Sequence, residues 1–269
     1  MALNAKLHIE TGWRNGITIL KKSFCTPPFK IADVTENKKD SGLTLMVMSS
    51  SPGVLDGDEY HLQIDVAEEC GLVLKTQSYL RLFQMQKGAR QFLQVNLKRC
   101  GFFTYIPHPV VPHENSMFFS KNRIVMEETS SLTWGEVMTC GRKLNGEIFK
   151  FSIYHNITEI FFGEKLIVKE NVLMKPAEVN PGSIGQLEGY THQASLLFID
   201  HNIDTSEKRQ SVNEFLKHED KIEFGISALP VNGLIIRILG FKSEQLFDLL
   251  KNLSSILSHK PVNGKLHVG

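Results

Sequence analysis

Apolar and polar residues alternate through most of the first two-thirds of the chain, a pattern typical of β-strands with one buried face. Clear examples are LHIETG (7–12), YHLQIDV (60–66) and FKFSIYHNITEIFF (149–162). No segment with the period of an amphipathic helix interrupts these strands before about residue 175. The pattern therefore excludes a β-α-β plan for this region and predicts a mainly β protein.

Three stretches of this region repeat one plan at a spacing of about thirty residues: 62–77, 93–107 and 123–136. Each runs an alternating strand into a charged turn and then into a second strand. A unit of two strands cannot bury its own apolar face, so it must stack on its neighbours. The repeat therefore predicts stacked sheets.

The ends of these units form a candidate functional line. The three units align on Gly71, Gly101 and Ser131. The fifth residue onward is Thr76, Ile106 or Glu136. Stacked units would place these positions near one another along one track, so their side chains are candidates for a shared role.

The remainder of the chain changes character. KPAEVNPGSIG (175–185) is rich in turn-forming residues and predicts a long loop. Asp204 and Glu207 have the spacing of a capping box, which predicts a helix beginning there. A second amphipathic helix is predicted over 243–258. It is a candidate surface for docking a partner, but packing on the β-stack is the favoured interpretation. The tail PVNGKLHVG (261–269) is expected to be irregular and exposed.

Composition narrows the class of protein. The chain has 269 residues, 42% of them hydrophobic, and no segment with linker composition, so we expect a single domain over 1–269. Thirty basic residues balance twenty-nine acidic ones for a net charge of +1. That balance argues against a nucleic-acid partner, whose binding rests on phosphate neutralisation.

Membrane and secreted classes are also disfavoured. The longest apolar runs, 43–48 and 233–239, are far too short to span a bilayer. The start of the chain lacks the apolar core of a signal peptide. The four cysteines include no close pair. We expect a reduced cytoplasmic protein without membrane association.

The loop SSPGVLDGDEY (50–60) carries Asp56 and Asp58 among glycines. One interpretation is an ordinary solvated turn. The other is a carboxylate held at the rim of the β-stack, able to bind a hard or borderline cation. In the next segment, Thr76 and Gln77 interrupt an apolar run, which predicts a hydrogen-bond network or a hydrated interior.

YIPHPVVPH (105–113) contains three prolines and two histidines. Because proline removes a ladder donor, this segment is predicted to be an edge or an exposed extended loop suited to docking a partner. His108 and His113 could ligate a metal, although loop histidines are more often polar surface.

Glu136 follows Gly135, and a glycine within a strand often marks a bulge or a close approach of the backbone. A bulge would aim Glu136 away from the regular pleat. The common catalytic motifs, such as GxGxxG, GxSxG, HExxH and CxxC, do not occur in the sequence.

Six segments in this order resemble the UreD family of urease accessory proteins, called UreH in some bacteria, over nearly the full length. They are PGVLDGDEY (52–60), KTQSYLRLF (75–83), YIPHPVVPH (105–113), WGEVMTCGRKLNGEIFKF (134–151), GYTHQASLLFI (189–199) and RILGFKSEQLFDLL (237–250). The resemblance implies a non-enzymatic, β-helix-like (solenoid-like) protein with two α-helices in the C-terminal third. It also implies action with a UreF-type helical protein and a UreG-type GTPase to deliver nickel to apo-urease.

The resemblance further implies a water-filled passage for nickel and no tightly bound cofactor. A conduit needs polar side chains whose hold on the ion is weak enough for it to leave. We therefore expect Asp58 and Glu136 to contact nickel transiently. Further lining is expected from Thr76, Gln77 and Asp56, and partner docking from Pro107, His108, Pro109 and Pro112.

Two alternatives stay open. A passive scaffold would order the urease activation complex without contacting nickel, and nothing in the sequence separates it from a conduit. A more distant alternative is a β-solenoid enzyme acting on polysaccharide through a carboxylate pair. The two tryptophans and five tyrosines offer little for sugar stacking.

Overall fold

The computed structural model describes residues 2–37, 41–201 and 203–258. The strands are β1 (Asn4–Arg14), β2 (Ile17–Cys25), β3 (Phe29–Asp33), β4 (Gly42–Ser49), β5 (Glu59–Val66), β6 (Gly71–Thr76), β7 (Leu80–Leu82), β8 (Ala89–Leu97), β9 (Phe102–Tyr105), β10 (Val110–Pro112), β11 (Met117–Met126), β12 (Ser131–Thr139), β13 (Ile153–Phe162), β14 (Lys165–Met174), β15 (His192–Asp200), β16 (Glu223–Ala228) and β17 (Gly233–Gly240). The helices are α1 (Thr205–Lys217) and α2 (Ser243–Leu257). The tail at 261–269, expected to be irregular, lies outside the described residues.

The strands form two sheets. The seven-stranded sheet has the order β14-β13-β11-β8-β5-β1-β2, and its five central strands run parallel. The ten-stranded sheet has the order β16-β17-β15-β12-β9-β6-β4-β3, with β7 and β10 attached beside β12. The prediction of a mainly β protein with two helices is confirmed. The finer description as a β-helix-like fold stays a prediction.

Each of the three repeat units contributes its first strand to the seven-stranded sheet and its second strand to the ten-stranded sheet. The first strands β5, β8 and β11 pair in parallel, as do the second strands β6, β9 and β12. The turn between them has four residues in every unit, and its third residue has a positive φ: Glu69 (60°), Cys100 (55°) and Thr129 (59°). The turn geometry therefore repeats although its sequence does not.

This turn corrects the alignment of the repeat. Gly101 belongs to the four-residue turn and is equivalent to Cys70, whereas Phe102 is the residue opposite Gly71. The ladder then places Tyr105 beside both Leu74 and Trp134. Thr76 and Glu136 each lie two residues after these partners, and the equivalent position in the middle unit is therefore Pro107. The assignment of Ile106 to this line is wrong by one residue.

Two apolar clusters hold the layers together. The larger one fills the space between the sheets with inward side chains such as Ile64 and Val95 on one side and Leu72 and Phe103 on the other. The smaller one lies on the opposite face of the ten-stranded sheet, where α2 packs with Leu246, Leu249, Leu250, Leu253 and Leu257. The predicted role of α2 as a cover for the β-stack is confirmed.

The helix boundaries follow from local chemistry. The Asp204 carboxylate accepts a hydrogen bond from the Ser206 amide at 2.8 Å, which satisfies one of the free N–H groups at the start of α1. The predicted helix start at this residue is confirmed. None of the helices among the described residues is long and apolar enough to cross a membrane.

Gly135 permits close packing rather than a bulge. The register of β12 with β15 is continuous from Ser131 to Thr139, so the predicted bulge is absent and Glu136 keeps its place in the pleat. A Cβ on Gly135 would lie 3.0 Å from a side-chain carbon of Ile106 and 3.1 Å from one of Leu250. The missing side chain therefore lets α2 approach the sheet.

Substituting Gly135 by alanine tests this packing. Because both neighbours would have to shift, we expect G135A to lower the free energy of unfolding by about 1–3 kcal/mol. G225A is a matched control, since a Cβ on that glycine of edge strand β16 meets nothing within 4 Å. Urea denaturation followed by circular dichroism measures both, and equal losses in the two variants would contradict the packing argument.

Candidate functional site

The interior between the sheets becomes polar where β6, β9 and β12 approach their C-terminal ends. A cavity of about 140 Å³ lies there, with room for several water molecules. Its polar lining includes Thr76, Gln77, His108, Asn122, Glu136 and Asn156. Its apolar lining includes Leu74, Tyr105, Pro107, Phe118, Trp134 and Tyr154. Three of the residues predicted to line a nickel path, Thr76, Gln77 and Glu136, therefore share one cavity, together with Pro107 and His108, both predicted to dock a partner.

Glu136 is the carboxylate of this cavity. Its position on β12 puts it on the same inward face as Trp134, whose indole N–H donates to Oε1 at 2.9 Å. Asn156 donates to the other oxygen, Oε2, at 2.7 Å. Thr158 and Asn122 lie 3.2 and 3.4 Å from Oε1 as further donors. Glu136 is thus held by neutral groups.

Three of these four donors connect the two sheets. Glu136 belongs to the ten-stranded sheet, whereas Asn122 on β11 and both Asn156 and Thr158 on β13 belong to the seven-stranded sheet. Asn122 also donates to Asn156 at 3.1 Å and to Thr158 at 3.0 Å. All three are buried, so the network is an internal polar bridge across the core.

Sequence reasoning missed this bridge, although a signal existed. In β11 the inward positions are Phe118, Ser120, Asn122, Ile124 and Met126. Two polar residues on an otherwise apolar face require partners inside the protein. The equivalent signal on β13 is Asn156 and Thr158 between Tyr154 and Ile160.

Burial dominates the electrostatics of the site. It raises the pKa of the Glu136 carboxyl above the usual value of 4.5, and the hydrogen bonds from Asn156 and Trp134 oppose that rise. The negative charge of Glu170 also raises the pKa of Glu136. None of the ion pairs formed within the described part of the chain includes Glu136. The side chain keeps some accessible surface because it faces the cavity.

Thr76 and His108 form a second polar contact on the cavity wall. The Thr76 hydroxyl oxygen accepts the His108 backbone N–H at 2.8 Å and lies 2.9 Å from Nδ1 of the ring. The ring packs on Phe247 of α2 with centroids 4.6 Å apart and near Tyr79 at 5.9 Å. Burial, with the nearby charge of Lys251, lowers the pKa of His108 below its usual 6.5. Gln77 is exposed and extends the polar wall outward.

Asp58 and Asp56 are placed differently from the other predicted residues. Asp58 is 1% exposed and accepts hydrogen bonds from the Leu3 amide (2.8 Å), the Leu55 amide (2.9 Å) and the Tyr60 hydroxyl (2.9 Å). One oxygen of Asp56 accepts the amides of Lys87 and Gly88 at 2.7 and 3.1 Å, and the bond from Lys87 is the main reason that its pKa lies below the usual value. Neither carboxylate is part of the cavity wall.

The proline segment is more ordered than the sequence suggests. Residues Val110–Pro112 form β10, which pairs in parallel with β7. Pro109 and Pro112 are buried, and Pro107 and His108 are half-buried. The prediction of an edge or an exposed extended loop is therefore wrong for Val110–Pro112, because this segment pairs with β7 on one side and with β12 on the other. Of the four residues predicted to dock a partner, Pro107 and His108 keep accessible surface.

The other histidine and cysteine side chains that could bind a metal do not come together in one site. His113 is buried against Phe83, with ring centroids 4.8 Å apart. All four cysteines are free, Cys70 and Cys140 being buried. In the part of the chain that the structure describes, no group of three or more His, Cys, Asp or Glu side chains is placed to hold a metal ion.

Comparison with known proteins agrees over nearly the whole chain. The family model described as UreD urease accessory protein matches residues 3–265. A urease accessory protein UreD of Flavobacterium johnsoniae is 45% identical over 249 residues, covering 92% of this chain and 90% of that protein. The UreD of Acetivibrio thermocellus is 35% identical over 254 residues, covering 94% and 97%. One from Haemophilus influenzae is 34% identical over 268 residues, covering 95% and 99%.

These matches decide the class of the protein. The resemblance seen in six sequence segments is confirmed by a family model that spans the strands, both helices and the cavity. The alternative of a β-solenoid enzyme acting on polysaccharide is set aside. The chain belongs to the UreD family of urease accessory proteins and is itself not an enzyme.

Proposed function

We propose that this protein helps to deliver nickel to apo-urease in the cytoplasm, together with a UreF-type accessory protein and a UreG-type GTPase. In this proposal the cavity at Glu136 is a hydrated stretch of the path that the ion takes. Nickel is cargo, held transiently on its way to urease. The family of the chain supports the link to urease, and the chemistry of the cavity supports the path.

The observation that carries the proposal is a carboxylate facing an internal cavity with only neutral hydrogen-bond donors around it. Removing a carboxylate from water is unfavourable, and a passing cation would offset that penalty. The other polar groups offer amide and hydroxyl oxygens, at Asn156 and Thr76 for example. The cavity wall carries one imidazole, His108, and no thiol. Such a site attracts a divalent ion without the set of several nitrogen and sulfur ligands that would retain it.

The proposed path includes Glu136, Thr76 and Gln77, which share the cavity. Asp58 and Asp56 are left out of it, because neither lines the cavity. Both oxygens of Asp58 and one oxygen of Asp56 accept hydrogen bonds elsewhere. The proline segment contributes Pro107 and His108 to the cavity wall. Partner docking at these two residues remains part of the proposal, whereas Pro109 and Pro112 are buried within the fold.

The first prediction concerns nickel transfer. Glu136→Gln keeps the size of the side chain but removes its charge and one acceptor oxygen. It should leave the accessory complex assembled but slow urease activation about tenfold, the scale of losing one supporting group at a metal site. Nickel bound per urease, measured by mass spectrometry after size-exclusion chromatography, gives the result.

Glu159→Gln is the matched control for that measurement. Glu159 lies on β13 next to Thr158 but points to the opposite face, where it pairs with Lys121 and Lys169 at 3.3 and 3.1 Å. This variant should load nickel as the wild type does. Normal loading by Glu136→Gln in an intact complex would reject the conduit and favour the passive scaffold.

The second prediction separates the structural carboxylates from the path. Asp58→Asn retains one acceptor oxygen where the carboxylate used two, so at least one of its three donors loses its partner. We expect a loss of about 1–3 kcal/mol in the free energy of unfolding. Asp56→Asn should be close to neutral, because one oxygen accepts both amides. Chemical denaturation compares them, and the reverse order of stability would refute these roles.

The third prediction concerns pH. Since burial raises the folded-state pKa of Glu136 above 4.5, its contribution to stability is fully present below pH 4.5 and is lost as the pH rises through the raised pKa. The stability of the wild type relative to Glu136→Gln should therefore fall as the pH rises towards neutrality, by about 1.4 kcal/mol per unit of pKa difference.

Glu159 should show the opposite trend in the same experiment. Its hydrogen bond to Lys169 lowers its pKa, so its stabilising contribution is present above the usual value of 4.5 and is lost as the pH falls through the lowered pKa. Urea denaturation over a pH series measures both differences. Parallel pH profiles for the two glutamates would show that Glu136 is not buried as described.

A further inference from the structure

The outer face of the seven-stranded sheet is the feature that the proposed function does not use. Both helices pack on the ten-stranded sheet, α2 against β12, β15 and β17 and α1 against β16 and β17. Parallel strands are usually covered on both faces. Here the outward side chains of the parallel strands include the exposed residues Lys6, Phe92 and Lys121. This uncovered face of the parallel strands is therefore a candidate binding surface for a partner protein.

A shallow groove runs across four of these strands and β2. We call it the basic aromatic groove and define it by Lys6, Phe24, His61, Phe92, Lys121 and Arg123. Phe24 and Phe92 are 51% and 39% exposed, which is high for side chains of this size. The two rings supply apolar surface in a row of otherwise polar positions.

The groove is built rather than accidental. His61 and Phe92 stack with ring centroids 5.2 Å apart and planes 20° from parallel. The guanidinium of Arg123 lies 4.2 Å from the ring centroid of Phe161. These contacts restrict the rotamers of His61, Phe92 and Arg123. Less side-chain conformational entropy is therefore lost when a partner binds.

The charge of the groove is positive. Lys6, Lys121 and Arg123 line it, and no carboxylate does. Three carboxylates lie beside it, and each already has a partner: Glu159 pairs with Lys121 and Lys169, Glu59 with His61 at 2.6 Å, and Asp65 with His8 at 2.7 Å. Lys6 and Arg123 therefore supply most of the unpaired charge of the groove. Such a surface complements a partner that presents carboxylates around an apolar side chain, and charge complementarity of this kind sets specificity and the rate of association.

We propose that the basic aromatic groove docks an acidic surface patch of urease, with Phe92 and Phe24 contacting an apolar side chain at the centre of that patch. The identity of the partner rests on the proposed function. The chemistry of the surface rests on the groove alone. The groove lies outside the sheet whose inner face lines the cavity, so docking and ion passage use different side chains.

Binding of purified apo-urease to the full chain tests this assignment by biolayer interferometry. We expect two variants to raise the dissociation constant at least tenfold while the circular dichroism spectrum is unchanged: the double variant Lys121→Glu with Arg123→Glu, and the single variant Phe92→Ala. Wild-type binding should weaken as salt is raised, and the charge variant should lose most of that dependence. Lys217→Glu on α1, whose partner is Glu214, is the control and should bind as the wild type does.

Several outcomes would overturn the docking site. Unchanged urease binding by both groove variants would remove it, as would an equal loss in Lys217→Glu, which would indicate a general charge effect. Binding of oligouridylate in place of urease, or a dimer that dissociates on Phe92→Ala, would assign the groove to another occupant. Glu136→Gln should still bind apo-urease, so failure of the nickel path and failure of the groove give different results.

Discussion

The fold depends on one constraint: no repeat unit can bury its apolar face without the next. Parallel pairing of β5, β8 and β11 in one sheet and of β6, β9 and β12 in the other aligns those faces, and the inter-sheet cluster is the result. The turns that join the sheets must keep the same length for this alignment to persist. Each has four residues with a left-handed third residue, a conformation that is costly outside glycine and is maintained by the stacking on both sides.

Glu136 is the charged side chain that interrupts the apolar packing between the two sheets. A core that needs only stability would place an aliphatic side chain beside Trp134, since a buried carboxylate carries a large desolvation penalty. The chain instead surrounds it with donors from the opposite sheet, at Asn122, Asn156 and Thr158. A network that is satisfied, buried and adjacent to a cavity fits a functional site better than a packing element.

Alternation and repetition were sufficient to predict the sheets, and capping residues were sufficient to predict the start of α1. The exact register was not predictable, because Gly101 matches Gly71 in residue type but lies in the turn. The residue that pairs with Gly71 is the next one, Phe102. The site was only partly predictable. Glu136 and Thr76 could be found at the exits of the repeat, whereas the role of Asp58 depends on the Leu3 amide, fifty-five residues away. Long-range hydrogen bonds of this kind leave no local pattern.

Strand alternation links the interior site to the exterior groove. On β11, Asn122 points inward to the Glu136 network, while its neighbours Lys121 and Arg123 point outward into the groove. A partner that fixed the outward residues would act on the backbone that positions the inward one, because adjacent residues share the ladder with β8 and β13. The interior site and the exterior groove therefore use alternate side chains of a single strand, and a substitution on one face leaves the side chains of the other in place.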